Sequence, residues 1–322
     1  MIKKLSMIST LVMCGLCADA SAQAYPTRPI RLIVGFTPGG AADYVGRNVG
    51  EALGKALGQP IVIENKPGAG SSIAAEYVAN ATPDGYTILI ASPSSIAVNP
   101  SLNPKQSPTV HTLVPITKVT NSPLVIAAHP GSGINSISDL IAAAKKAPGK
   151  LNFASAGNGS APHLGGVLFN QVAGVDLVNV PYKGGSPSVQ SVISGDTHVT
   201  FATPPSVLPF IKAGRLRGLA VTTPERSPLV PDLPGMIEAG LPAYQIGFWY
   251  GFFAPARTPP EIVKKLYDAT MVAMQRPEVK AALAREGTDV STSGSPADFA
   301  AFVKEDTKFW AKLAKDSGAK ID

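Results

Sequence analysis

Ile30-Arg31-Leu32-Ile33-Val34-Gly35-Phe36-Thr37-Pro38-Gly39-Gly40-Ala41-Ala42-Asp43 is an apolar run that stops at a glycine-rich turn. Helical periodicity follows at once: Val45, Val49, Leu53 and Leu57 fall on one face of a segment spanning 43–57. A buried strand, a tight turn and an amphipathic helix make the opening unit of an α/β protein. Glycine lets the backbone approach a ligand closely, and the free N–H groups of a helix start favour negative charge. Two further turns of this kind recur, Ser155-Ala156-Gly157-Asn158-Gly159-Ser160-Ala161-Pro162-His163 and Pro181-Tyr182-Lys183-Gly184-Gly185-Ser186-Pro187. One such turn is ordinary α/β architecture. Three at strand ends, where α/β clefts form, point to capture of an anion.

Outward from this unit, strand and helix signals keep alternating. Residues 61–64 and 86–91 read as strands around a helix at 71–80, which stops before Thr82-Pro83-Asp84-Gly85. Residues 99–113 read as an irregular connection. Strands are expected at 124–128, 151–154, 178–180, 198–202 and 216–221. The helices of this region are expected at 137–147 (started by Ser136 or Ser138), 163–172, 187–194 and 205–213. Residues 233–240 read as a short proline-punctuated helix and 248–253 as an aromatic strand. Helices at 259–274, 277–286 and 296–317 each carry proline near the first turn. Parallel βαβ units in two α/β lobes follow, with crossings near 115–125 and 240–250 and a ligand cleft between the lobes.

The first 24 residues read as an export signal. Lys3 and Lys4 precede an apolar stretch at 5–17, and cleavage is expected after Ala22 or Ala24. Cys14 and Cys17 are the only cysteines, so the exported chain has no disulfide, zinc thiolate or thiol nucleophile. The full chain has 28 Lys and Arg against 22 Asp and Glu, a net charge of +6. These charges are scattered and not interleaved with aromatics, so no nucleic-acid surface is expected. A mild positive field helps draw in anions.

The chemistry-bearing motifs fail one by one. A dinucleotide fingerprint needs a third glycine that 68–73 and 157–162 both lack. Gly54-Lys55-Ala56 and Gly149-Lys150-Leu151 lack the hydroxyl residue that follows the lysine of a phosphate loop. Gly184-Gly185-Ser186-Pro187-Ser188 lacks the last glycine of a nucleophile elbow. His111, His129, His163 and His198 are dispersed, without metal-ligand spacing. Only His163 stands where it could touch a ligand. Asp43 is expected to hold its turn, because a carboxylate in that first helical turn would repel a bound anion.

The whole exported chain resembles the Bug family of periplasmic solute receptors, the extracytoplasmic partners of tripartite tricarboxylate transporters. The resemblance runs through Tyr25-Pro26-Thr27-Arg28-Pro29, the 35–40 turn with Asp43 and Arg47, Glu64-Asn65-Lys66-Pro67-Gly68-Ala69-Gly70 and Pro83-Asp84-Gly85-Tyr86. It continues through the 155–164 and 180–185 turns and Trp249, Gly251, Ala254-Pro255 and Thr258-Pro259. It implies a two-lobed, type II-like periplasmic-binding-protein fold with mixed sheets flanked by helices. Lobe 1 would comprise 25–120 and 248–322, and lobe 2 would comprise 121–247. It implies a monomeric receptor, without catalysis or cofactor, that closes on a small carboxylate and presents it to membrane permease subunits.

In such receptors one carboxylate is held by the first glycine turn, which maps onto Phe36, Thr37, Pro38, Gly39, Gly40 and Ala41, through backbone N–H groups and bridging waters. Ser92, Ser94 and Ser95 would add hydroxyls from the same lobe. The second lobe would supply Ser155, Gly157, Asn158, Gly159, Ser160 and His163, with Tyr182 and Lys183 nearby. Many relatives resemble Phe-Asp-Thr where this chain has Phe201-Ala202-Thr203. The lost carboxylate implies an amine-free ligand, a dicarboxylate or aromatic carboxylate, against the wall at Ala202 and Thr203. Two alternatives carry the same residues: a secreted carboxylic-ester hydrolase using Ser160 or Ser186 with His163, and a ligand sensor for a membrane kinase.

Overall fold

The computed structural model describes residues 25–103, 110–285 and 287–316. The expected export signal and both cysteines lie outside the described residues. Parallel strands β1 (Ile30–Val34), β2 (Ile61–Asn65) and β3 (Thr87–Ala91) are joined by helices α1 (Ala41–Leu57) and α2 (Ser72–Ala79). Val45, Val49 and Leu53 of α1 are fully buried, as the helical spacing requires. β10 (Gly247–Ala254) pairs antiparallel with β3 and with β4 (Val114–Pro123). With β11 (Asp289–Val290) the first sheet has the order β11-β4-β10-β3-β1-β2.

The second sheet is built from β5 (Val125–Ala128), β6 (Asn152–Ser155), β7 (Val178–Pro181), β8 (Val199–Ala202) and β9 (Arg217–Val221). Its order is β7-β6-β8-β5-β9. β6 is parallel to β7 and β8, whereas β5 is antiparallel to both its neighbours, so both sheets are mixed. In this part of the chain α3 (Asn99–Leu102) precedes β4, and α4 (Ile137–Lys146), α5 (Ala161–Ala173), α6 (Gly185–Ser194) and α7 (Pro204–Lys212) flank the second sheet. The C-terminal helices α8 (Pro260–Gln275), α9 (Pro277–Arg285) and α10 (Pro296–Asp316) pack on the first sheet, with α8 along α1 and α10 over β4.

Three local expectations are corrected. The segment near 115–125 is no mere crossing: β4 fills it as a ten-residue strand. Its Pro, Lys, Asn and Ser residues mask the strand signal, and pairing along β10 supplies the order that propensity does not. The chain therefore passes between sheets at Pro123–Val125 and returns between Val221 and Gly247. The expected helix at 233–240 is a set of turns. Met236 and Ile237 donate their N–H groups to the carbonyls of Thr223 and Pro224, at 2.8 and 3.0 Å, which pre-empts helical pairing. Finally, the start of the 99–113 connection is helical, because a π-helical turn at Ser94–Val98 runs into α3. Residues 104–109 lie outside the described residues.

Candidate functional site

Four helices begin at one place. α1, α5, α6 and α7 start at Gly40, Ser160, Gly184 and Thr203, and none of these residues caps its helix with a side chain. α2, α3 and α8 are likewise without a side-chain cap, whereas the Ser136 hydroxyl accepts from the Asp139 N–H at 3.0 Å to start α4. The starts of α1, α5 and α6 leave backbone N–H groups without a side-chain cap, whereas α7 opens on Pro204 and Pro205, which have no N–H, and its Ser206 N–H donates to the Thr203 carbonyl at 3.0 Å; each start carries roughly half a positive charge. Gly40, Ser160, Thr203 and Gly185, the first residue of α6, line one inner cavity of about 30 Å³, closed by Phe36, Phe248 and Tyr250. That volume is near the share of a single water in the liquid. The walls already meet around it.

A second, outer cavity of about 220 Å³ shares Phe36 and Ala156 with the first. It is lined by the 67–71 turn of the first sheet and by the ends of β6 and β7 in the second. The two sheets also touch directly, where the Ser186 hydroxyl donates to the Pro38 carbonyl at 3.2 Å. No Asp or Glu lines either cavity, and Lys183 on the outer one is the single charged lining residue. This is the electrostatics of an anion site without an acidic counter-group for an amine.

The expected site residues divide. Phe36, Gly40, Ala41, Ser160, Ala202 and Thr203 meet at the inner cavity. Gly157, Asn158, Tyr182 and Lys183 line the outer one. Thr37, Pro38 and Gly39 sit on the turn that faces Gly184 and Ser186 across the gap. The buried hydroxyls of Thr37, Ser92, Ser94, Ser155 and Ser160 have no hydrogen-bond partner among the described residues. Burying such a group unpaired costs about 1–3 kcal/mol, so each favours a ligand or water that pairs with it. Ser92, Ser94 and Ser95 line neither cavity, and Ser95 is engaged locally, donating to the Ser92 carbonyl at 3.1 Å.

Asp43 holds the first turn. Its carboxylate accepts from the Gly39 N–H at 3.0 Å, Arg47 Nε at 2.9 Å and Asn65 Nδ2 at 3.0 Å. Burial pushes this carboxyl up, but the bonds from Arg47, Gly39 and Asn65 outweigh it and hold it below its ordinary value. Asn65 also donates to the Phe36 carbonyl at 2.9 Å, which ties the end of β2 to the same turn.

His163 stands behind the second turn and lines neither cavity. Its Nδ1 accepts from the Gly159 N–H at 3.0 Å, and its ring stacks on Phe153 with centroids 6.5 Å apart. Burial lowers its pKa to about 4, so the ring is neutral at pH 7. Protonation would abolish the acceptor and charge a buried ring. The folded pKa lies below the unfolded one, so stability is intact above about pH 6.5 and falls as pH drops towards 4. The expected loss at pH 5 is about 2 kcal/mol relative to pH 7. Urea titrations at both pH values measure it, and His163→Gln should flatten that slope. An unchanged slope in the variant would assign the loss to other groups.

Sequence reasoning missed Ala42, Ala156, Ala161, Pro162, Gly185, Ser206, Phe248 and Tyr250 on the inner wall. Phe248 and Tyr250 alternate along β10 and so share a face, but only the position of β10 beside β3 aims that face at the cavity. Burial pushes the Tyr250 phenol well above its ordinary range, so it stays a neutral hydroxyl, hydrogen-bonded with Thr203. Neither serine of the hydrolase alternative has a histidine partner: Ser186 donates to Pro38, and His163 Nδ1 is occupied by Gly159. Among the described residues no cluster could hold a metal ion, and no helix is long and apolar enough to cross a membrane.

Comparison with known proteins gives the family and the fold. The profile of the Tripartite tricarboxylate transporter family receptor matches residues 45–319. BugT of Bordetella pertussis is 35% identical over 309 residues, covering 95% of this chain and 94% of BugT. The periplasmic binding protein BugD superposes with a TM-score of 0.87 at 34% identity, covering 92% of this chain and 99% of BugD. Rpa4515 of R. palustris, solved with adipate, also gives 0.87, at 33% identity, covering 91% of this chain and 98% of its own.

Proposed function

Because this chain belongs to the tripartite tricarboxylate transporter receptor family, whose members are periplasmic solute-binding receptors and not enzymes, we propose that it captures a small, amine-free carboxylate by hinge closure. The ligand is a dicarboxylate or an aromatic carboxylate, delivered by the monomeric receptor to membrane permease subunits after export and cleavage of residues 1–22 or 1–24. One lobe comprises 25–120 and 248–322, the other 121–247, and the two connections between sheets act as the hinge.

The observation that supports this reading is the convergence of four uncapped helix starts on a cavity without an acidic side chain. Backbone N–H groups aimed at a carboxylate make charge-assisted bonds of about 1.5–3 kcal/mol each. A few of them, with the apolar walls of Phe36, Ala202 and Phe248, reach the ~8 kcal/mol of micromolar binding. The starts belong to helices flanking different sheets, so a ligand touching all four favours the closed state over the open one. Rpa4515, solved with adipate, is a relative of the same fold.

A thermal-shift screen of the exported chain against aliphatic, amino and aromatic carboxylates tests the reading. A ligand at a hundred times its dissociation constant adds about 2.7 kcal/mol of stability. A clear shift is expected with one or more amine-free acids and a smaller one with the matching amino acids. No shift with any carboxylate would overturn the assignment. Preference for amino acids would overturn the amine-free part of it.

A further inference from the structure

The aromatic wall of the inner cavity is held from outside the cleft. Phe248, on that wall, pairs with Ser122 near the end of β4, one residue from the connection at Pro123–Val125. The ring therefore stands beside one of the two passages between the sheets. α10 is fastened to β10 at this point and also reaches α5, which flanks the second sheet. Asp306 of α10 accepts from Trp249 Nε1 at 2.7 Å. Trp310, one helical turn on and on the same face, meets the Phe248 ring edge-on with centroids 5.8 Å apart. Phe248 in turn meets Tyr250 edge-on at 5.8 Å, and Tyr250 is hydrogen-bonded with Thr203 at the start of α7. Trp249 and Trp310 are the only tryptophans of the chain, and both are buried, as is Phe248. Burial raises the Asp306 carboxyl above its ordinary value, while bonds from Trp249 and Trp310 and the charge of Lys118 on β4 oppose the rise. Through the two indoles this carboxylate ties α10 to the strand that carries Phe248 and Tyr250.

Resting on the reading of the inner cavity as a carboxylate site, we propose that Asp306 and Trp310 are positioning residues for ligand capture, fixing the Phe248 ring against the ligand from behind. Neither residue lines the cavity. Edge-on aromatic pairs favour a narrow range of separation and tilt, and close-packed walls transmit a displacement instead of absorbing it. With only about 30 Å³ inside, a small shift of Phe248 changes which spacer fits. A flexible aliphatic acid adapts to a displaced ring, whereas a rigid planar one does not. Loosening the contact between α10 and β10 therefore penalises rigid ligands more than flexible ones, so Asp306 acts on the choice of ligand and not only on stability.

Titration with adipate and terephthalate tests this in the wild-type exported chain and in Asp306→Ala, Asp306→Asn and Trp310→Phe. Asp306→Ala removes the acceptor, whereas Asp306→Asn keeps an amide oxygen for Trp249 Nε1. Asp306→Ala should lower terephthalate affinity about 5-fold or more relative to adipate, and Asp306→Asn should restore the wild-type ratio to within about 2-fold. Trp310→Phe, a smaller ring at the same place, should move the ratio in the same direction, and reads it should Asp306→Ala fail to fold. Where the wild type binds other acids instead, a flexible and a rigid member of the bound set replace these two. NMR of ring-labelled phenylalanine, with Phe248 assigned through Phe248→Leu, gives a readout without ligand. The Phe248 resonance should shift in Asp306→Ala and return in Asp306→Asn. A parallel fall of both affinities, or an unmoved Phe248 resonance, overturns the inference. If no carboxylate binds, the carboxylate reading falls, while a Phe248 ring that still answers to Asp306 upholds the positioning.

Discussion

Ala202→Asp is expected to lower carboxylate affinity about 1000-fold, or ~4 kcal/mol. Ala202 ends β8, is 2% exposed, and lies on the inner cavity one residue before the start of α7. An aspartate there would place its own negative charge among the four helix starts. Those starts would stabilise it, so the fold should persist while the site is filled from within. A bound dianion would then meet a like charge in a cavity with no other ionised group, a juxtaposition that costs several kcal/mol. Ala202→Asn, with the same outline and no charge, separates charge from size and should lose about 10-fold. Calorimetric titration with the ligand found in the screen reads both. Equal losses in the two variants would remove charge from the explanation, and wild-type affinity in Ala202→Asp would place residue 202 outside the site.

Gly159→Ala is expected to weaken binding about 100-fold or more while leaving most of the stability in place. Gly159 has φ of 75°, and a Cβ there would collide with Asn99 Oδ1 and approach Val98 across the gap between the sheets. Asn99 cannot yield easily, because its two bonds to the 67–71 turn fix its amide. The collision exists only when the walls meet, so it acts against closure rather than against folding of either half. Gly58→Ala is the control. Its φ is 71°, its surroundings are open within 4 Å, and it carries the same conformational cost without the collision. Ligand titration and urea denaturation of both variants give the comparison. If Gly58→Ala loses affinity to the same extent, the effect is conformational strain and not a blocked closure.

Much of this was legible from residue order. The run 30–34 and the 45/49/53 spacing announced β1 and α1, and the glycine turns marked three of the four helix starts that converge. The fourth, at Thr203, has no glycine turn; it was marked by the strand at 198–202 passing into the helix at 205–213 and by the contrast of Phe201-Ala202-Thr203 with the resembling receptors. β4 was not legible, because its polar residues satisfy a strand only once β10 lies beside it. His163 followed a glycine turn closely enough to suggest ligand contact. Helix geometry instead carried its ring back under the turn, four residues from the N–H it accepts.

Residue order by itself determined the α/β class, the family, the glycine turns and the lack of an acid at position 202, since each depends on local chemistry and spacing alone. Only the tertiary structure decided that four separate helix starts share one cavity, that Phe248 and Tyr250 close it, and that Ser92 and His163 stand away from it. Those relations join residues up to some two hundred positions apart. Strand pairing and core packing set them, and no local signal encodes which strand lies beside which.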